Sequence, residues 1–245
     1  MESEKSSFIE SKEQPERFNE LTIDFIRHGE SKYTDSSPDL TDKGVEQIKK
    51  SADELKAIIS PEEKVVIWNS PAARARDSAK IIRNALEEQG VSIVKQSEIG
   101  SLRPIKINDL EFVQNLFKEA VEQGRPDTAF MTHPEFAKEE NEKMETRPQA
   151  EKRMDRVLNY LRYLAEHVDF QNQGLRMLIV SHFELAEPLA QEVFGFHEPF
   201  RLGDRLEIKM RYDRENKKTE IYFSFRGQEQ GPFAWNKDQR ELRKV

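Results

Sequence analysis

Apolar residues in this chain gather into short runs that alternate with longer stretches of helical periodicity. LTIDFI, from Leu21 to Ile26, is a largely apolar run rich in β-formers and predicts a buried strand. Val45, Ile48, Ala52, Leu55 and Ile58 then recur at spacings of three and four, which predicts an amphipathic helix with Thr41 as its cap. KVVIW (Lys64 to Trp68) repeats the strand pattern. The helix expected after it has Ser70 at the N-cap, Pro71 at the first helical position and Gly90 at the stop. VSIVK (Val91 to Lys95) is the next strand candidate.

From about Ile107 to Arg147 this rhythm is broken. One helix carrying Leu110, Val113, Phe117 and Val121 is followed by a polar, proline-bearing connection, read as an insertion over the sheet. Met154, Val157, Leu158, Leu161 and Ala165 mark a further long helix. LRMLIV (Leu175 to Val180) is another strand, and Glu184 to Phe194 another helix. Strand–helix alternation predicts an α/β fold of three α/β/α layers around a mostly parallel sheet. Leu206, Ile208 and Met210, and then Ile221, Phe223 and Phe225, alternate with polar residues and predict an antiparallel hairpin at one sheet edge. The expected organisation is a flexible arm over 1–19, one domain over 20–226 with an insertion at about 103–150, and a tail over 227–245.

Charge and composition narrow the function. A net charge of −7, with 35% charged residues, disfavours nucleic acid or an anionic membrane surface as partner. The chain has no cysteine, so thiolate nucleophiles, thiolate metal sites and disulfides are excluded. No apolar run approaches the roughly 20 residues of a membrane span, and the polar, acidic N-terminus does not resemble a signal peptide. A cytoplasmic protein is expected, of undetermined oligomeric state.

In an open α/β sheet, reactive groups collect beyond the carboxyl ends of the strands. The first predicted strand exits into Arg27-His28-Gly29-Glu30-Ser31, the second into Ser70-Pro71-Ala72-Ala73-Arg74, and the last parallel one into Ser181-His182-Phe183-Glu184. Two arginines and two histidines thus meet at one sheet edge, a group suited to phosphoryl transfer. Arg27 and Arg74 offer planar forks to phosphate oxygens, and Arg74 also lies near a positive helix terminus. His28 is the candidate nucleophile, Gly29 allows a tight turn, and a protonated His182 would add positive charge. No metal is implied, because the histidines and carboxylates lack compact ligand spacing and the arginines would oppose a cation.

The segments IDFIRHGES (23–31), LTDKGVEQ (40–47), WNSPAARARDSA (68–79) and LIVSHFE (178–184) together resemble the histidine phosphatase superfamily, which includes the cofactor-dependent phosphoglycerate mutases. That resemblance implies a phosphohistidine intermediate on His28, no cofactor, and Arg27, His28, Arg74 and His182 as the core quartet. It implies a phosphorylated small molecule or a phosphoprotein as partner. Three departures stand out. Thr34 replaces the family's frequent asparagine; with Ser31 it is the candidate substrate contact. The mutases' Gly-Trp-rich loop is missing, which favours a phosphatase over a mutase. The family's Leu-x-Glu proton donor has no counterpart, since Arg103-Pro104 stand there; Glu184, Glu98 and Asp109 are the candidate acids. A non-catalytic phosphate-binding module is the rival from another class. His133, in the insertion, reads as a loop histidine.

Overall fold

A computed structural model describes residues 17–34, 36–122, 133–168, 174–195, 200–236 and 241–244. The strands are β1 (Phe18–Arg27), β2 (Lys64–Asn69), β3 (Ser92–Glu98), β4 (Leu175–Ser181), β5 (Arg205–Asp213), β6 (Lys218–Phe225), β7 (Gln228–Asn236) and β8 (Glu241–Lys244). They form a single sheet in the order β3-β2-β4-β1-β5-β6-β7-β8. The pairs β2–β3, β2–β4 and β1–β4 are parallel, and every pair from β1–β5 outward is antiparallel. The helices are α1 (Asp42–Lys56), α2 (Ala73–Glu88), α3 (Leu110–Glu122), α4 (Arg147–His167) and α5 (Phe183–Phe194).

Alternation along β1 sends its side chains into two cores. Leu21, Ile23 and Phe25 join a cluster with residues of α4 and α5, whereas Ile26 joins a cluster with α1 and α2 on the other face. The three-layer α/β/α architecture follows. Thr41 caps α1, its hydroxyl accepting from the Gly44 amide at 3.1 Å. At α4, Thr146 and Gln149 form a capping box with a proline in the first turn. Gly90 takes φ +86 just past the end of α2, as its expected stopping role requires.

Several boundaries differ from the sequence reading. Residues 1–16 lie outside the described residues, but β1 already begins at Phe18, within the expected arm. Helix α2 starts at Ala73 rather than Pro71. Its N-cap is Ala72, and the Ser70 hydroxyl accepts from the Ala72 amide at 3.2 Å, which tightens the turn before the helix. The β5–β6 hairpin is interior to the sheet, because β7 and β8 continue the antiparallel ladder through much of the expected tail. Part of the expected insertion, 123–132, lies outside the described residues. No described helix is long and apolar enough to cross a membrane.

Candidate active site

The carboxyl ends of β1, β2 and β4 lie side by side, since β4 is hydrogen-bonded to both of the others. This adjacency brings His28, Arg74 and His182 together. The His28 amide donates to the Ser181 carbonyl at 3.0 Å, and the Ser70 amide donates to the Val180 carbonyl at 3.0 Å, so the three exits share one hydrogen-bonded frame.

The backbone after His28 is clamped from two sides. Gly44 packs so closely that a Cβ on Gly29 would stand 2.4 Å from its carbonyl oxygen, and a Cβ on Gly44 would stand 2.0 Å from the Glu30 carbonyl oxygen. Neither glycine has positive φ among the described residues, so close approach, rather than a left-handed turn, is what each supplies. The Glu30 amide donates to Gln47 Oε1 at 2.8 Å, and the Thr41 amide donates to the Glu30 carbonyl at 3.0 Å. From α2, Ser78 Oγ accepts from the Gly29 amide at 3.3 Å and donates to the Arg74 carbonyl at 2.7 Å.

His28 is buried, and its Nδ1 lies 2.7 Å from the Gly29 carbonyl oxygen. A carbonyl only accepts, so Nδ1 carries the proton in the neutral ring and the lone pair sits on Nε2. Arg74 Nε donates to that Nε2 at 3.2 Å. Burial, then the charge of Arg74, lowers the His28 pKa to about 3, with Arg27 acting the same way and the Gly29 carbonyl opposing. The ring is neutral at physiological pH.

The His182 ring packs edge-on to that of His28, with centroids 5.0 Å apart, and its Nε2 shares a 2.8 Å hydrogen bond with the Ser70 hydroxyl. Burial, then His28 and the arginines, hold the His182 pKa well below its ordinary value, so the ring is neutral and contributes hydrogen bonding rather than charge. Arg27 is buried, donates to the Phe200 carbonyl, and has its guanidinium carbon 4.5 Å from the Phe183 ring centroid. Its charge is felt at His28, His182 and Glu184.

Of the candidate acids, only Glu184 belongs to this group. It occupies the first turn of α5, behind His182, and Oε2 is buried with no hydrogen-bond partner among the described residues. Burial raises its pKa and outweighs the opposing pull of Arg27, Arg74 and Arg153. Glu98 is half exposed and lies 3.7 Å from Arg76. Asp109 caps α3 by accepting from the Phe112 amide at 2.9 Å and faces Lys143. Both have local structural work elsewhere. His133 likewise accepts from the Glu135 amide at 3.1 Å within its own loop.

The two expected substrate contacts diverge. Ser31 is buried, and its hydroxyl has no partner among the described residues. Thr34 is exposed and donates to the Ser36 carbonyl at 2.9 Å and to Asp39 Oδ1 at 3.0 Å, so its hydroxyl serves the loop.

Sequence reasoning missed a cluster behind the third strand exit. Buried Arg153 grips Glu145 through Nε at 2.8 Å and a second nitrogen at 3.0 Å, and it donates to the carbonyls of Ser101 and Arg103. Arg103 donates to the same carboxylate at 2.6 Å. Burial would raise the Glu145 pKa, but these two arginines hold it low. Ser181 Oγ donates to the Leu102 carbonyl at 2.7 Å, which ties this turn to the end of β4. A signal existed. Arg153 falls on the buried stripe of Ala150, Met154 and Val157, where a charge needs a partner.

Comparison with known proteins identifies the family and the fold. The model of the histidine phosphatase superfamily (branch 1) matches residues 23–207. A phosphoglycerate mutase from Bacillus anthracis str. Sterne shares 16% identity at a TM-score of 0.54, covering 79% of this chain and 89% of its own. A mycobacterial glucosyl-3-phosphoglycerate phosphatase, in complex with VO3, shares 16% identity at a TM-score of 0.54, covering 82% and 96%. A protein described as mycobacterial hydrolase 1 shares 12% at 0.55, covering 85% and 99%. At these identities the structural likenesses establish the fold. No curated protein matches the sequence.

Proposed function

The chain belongs to the histidine phosphatase superfamily (branch 1), and on that premise we propose that it is a metal-independent phosphatase acting on a phosphomonoester or phosphohistidine through a phosphohistidine intermediate on His28. One observation carries the reading. His28 is neutral, with Nδ1–H fixed on the Gly29 carbonyl and the Nε2 lone pair turned to Arg74. A nucleophile and a charged donor for the phosphoryl group thus face each other at one point.

In the first step Nε2 attacks phosphorus, the N–P bond forms and the bond to the leaving group breaks. Arg74 shifts from Nε2 to the phosphoryl oxygens, joined by Arg27 and the neutral His182. The Ser31 hydroxyl, buried and without a partner among the described residues, is the further donor we assign to the phosphoryl group. Glu184 gives its proton to the departing group, the oxygen of an ester or the imidazole nitrogen of a phosphohistidine, a role favoured by its raised pKa. In the second step Glu184 takes a proton from water, the oxygen attacks phosphorus, and the N–P bond breaks to release inorganic phosphate. Catalysis rests on positioning and charge neutralisation. Residues 31–40 lack the Gly-Trp-rich loop of the mutases, which favours hydrolysis over return of the phosphoryl group to another hydroxyl.

The test is rapid mixing with a 32P-labelled aryl phosphate and a quench that avoids acid. Label on His28, with turnover unchanged by a strong chelator, is the expected result. Label on serine, or activity lost on chelation and restored by a divalent cation, would overturn the proposal.

A further inference from the structure

The loop that follows the nucleophile carries an aromatic side chain in an unusual backbone state. Tyr33 has φ +58, a left-handed conformation that a bulky side chain rarely adopts without external support. That support is visible. The Lys32 amide donates to the Asp39 carbonyl at 2.8 Å, and the Thr34 amide donates to buried Asp39 Oδ1 at 2.7 Å, so hydrogen bonds hold the residues on either side of Tyr33. Ser31 and Leu40 form an antiparallel bridge at the base of the loop. The Asp39 amide donates to Asp77 Oδ2 at 2.7 Å, and Asp77 lies on α2 one turn beyond Arg74. The loop is therefore fastened to the same helix that supplies the candidate phosphate clamp.

The side chain fixed in this way is 72% exposed, yet it is directed at the site. The Arg74 guanidinium carbon lies 5.1 Å from the Tyr33 ring centroid, while Arg74 Nε reaches His28. One region of the ring covers the arginine and the rest faces outward. A phosphate held by Arg74 has its leaving group pointing away from His28, since attack is in line, and the exposed ring packed on Arg74 is the aromatic surface beside that phosphate. An exposed aromatic surface offers little to a short alkyl group but much to a second ring.

Building on the phosphatase reading, we infer that Tyr33 is a specificity-determining residue that contacts the leaving group and selects phosphorylated substrates in which that group is a ring, aromatic or saturated as in a sugar. The ring stacks against Tyr33 while Arg74 holds the phosphoryl group.

Phosphonates that cannot be hydrolysed separate this inference from turnover. Calorimetric affinities of phenylphosphonate, cyclohexylphosphonate and methylphosphonate are compared for the full chain and its Tyr33→Asn and Tyr33→Phe variants. Asparagine tolerates the left-handed backbone but has no ring. The full chain should prefer a ring-bearing ligand over methylphosphonate, and Tyr33→Asn should reduce that preference, read as the ratio of the two affinities, by roughly fivefold. Tyr33→Phe should keep it. Preference for phenyl alone identifies an aromatic partner, and preference for both rings admits a sugar. No ring preference in the full chain, or a ring preference that Tyr33→Asn leaves intact, overturns the inference. Ring-selective binding that depends on Tyr33, with no turnover of the matching phosphates, sinks the phosphatase proposal and leaves Tyr33 as the residue that selects ring-bearing phosphoryl ligands. If none of the three ligands binds, both fall.

Discussion

Arg74 donates through Nε to Nε2 of His28 at 3.2 Å, so the lone pair proposed to attack phosphorus is covered by the cation proposed to receive the phosphoryl oxygens. Substrate must draw the guanidinium off the ring before the N–P bond can form, and the charge then lies where negative charge develops. Arg74→Ala should lower kcat/KM by the equivalent of about 2 to 4 kcal/mol, most of it in kcat. Arg74→Lys should recover little, because an ammonium lacks the planar fork that spans two oxygens. A defect confined to KM would show that Arg74 binds ground-state substrate only.

The depressed pKa of His28 has a consequence for stability. Burial is the leading cause, with Arg74 next, and together they bring the folded value to about 3 from an ordinary 6.5. Between these values the unfolded chain binds a proton that the folded chain does not, so stability is lost as pH falls through that window and is full above it. His28→Gln removes this titration. Urea midpoints measured from neutral pH downward should fall less steeply in the variant than in the wild type. The opposing contribution of Glu184, whose pKa is raised, is common to both proteins and cancels in the comparison. Equal slopes would mean that His28 titrates normally in the folded protein.

Gly29 and Gly44 make a second, independent prediction about how the nucleophile is held. A Cβ on either would fall within 2.4 Å of backbone oxygen across the contact, too close for side-chain adjustment to relieve. Gly29→Ala should cost about 1 to 3 kcal/mol of stability, as overpacking in a rigid contact does. Activity should drop further than stability alone explains, because the displaced segment begins at His28. Gly44→Ala, though remote from the chemistry in sequence, should do the same. An unchanged melting temperature in either variant would mean that the contact is softer than its geometry.

The parallel half of the sheet and the candidate quartet were legible because apolar runs end directly at Arg27-His28, Ser70 and Ser181-His182, and strand order then places those ends together. The LTDKG segment could be matched but not explained by pattern alone. Its reason is Gly44 against Gly29 and the Thr41 and Gln47 bonds to Glu30, contacts between elements far apart in the chain. β7 was missed because QEQGPFAWN interrupts alternation with Gly231-Pro232. The neutral state of His182 was illegible for another reason, since it depends on burial beside several cations, which only packing decides. Arg153 was the avoidable omission, as its place on an apolar helix stripe is visible in sequence.

The identity of the proton donor gives the last prediction. Sequence left Glu184, Glu98 and Asp109 open, and the structure brings only Glu184 into the company of Arg27, Arg74 and His182. A buried carboxyl with an unpartnered oxygen among the described residues can hold a proton in reserve, whereas exposed Glu98 and the capping carboxylate of Asp109 have no such environment. An alkoxide leaves poorly without that proton, but a phenoxide with an acidic conjugate acid scarcely needs it. Glu184→Gln should therefore slow an alkyl phosphate far more than p-nitrophenyl phosphate, steepening the dependence of rate on leaving-group pKa. Glutamine keeps the shape of the side chain, so a general loss of folding is not expected to mimic this pattern. Equal slowing of both substrates would reassign Glu184 to orienting the substrate. A phosphohistidine peptide, whose imidazole leaves with less help from an acid, would then be the substrate class to assay next.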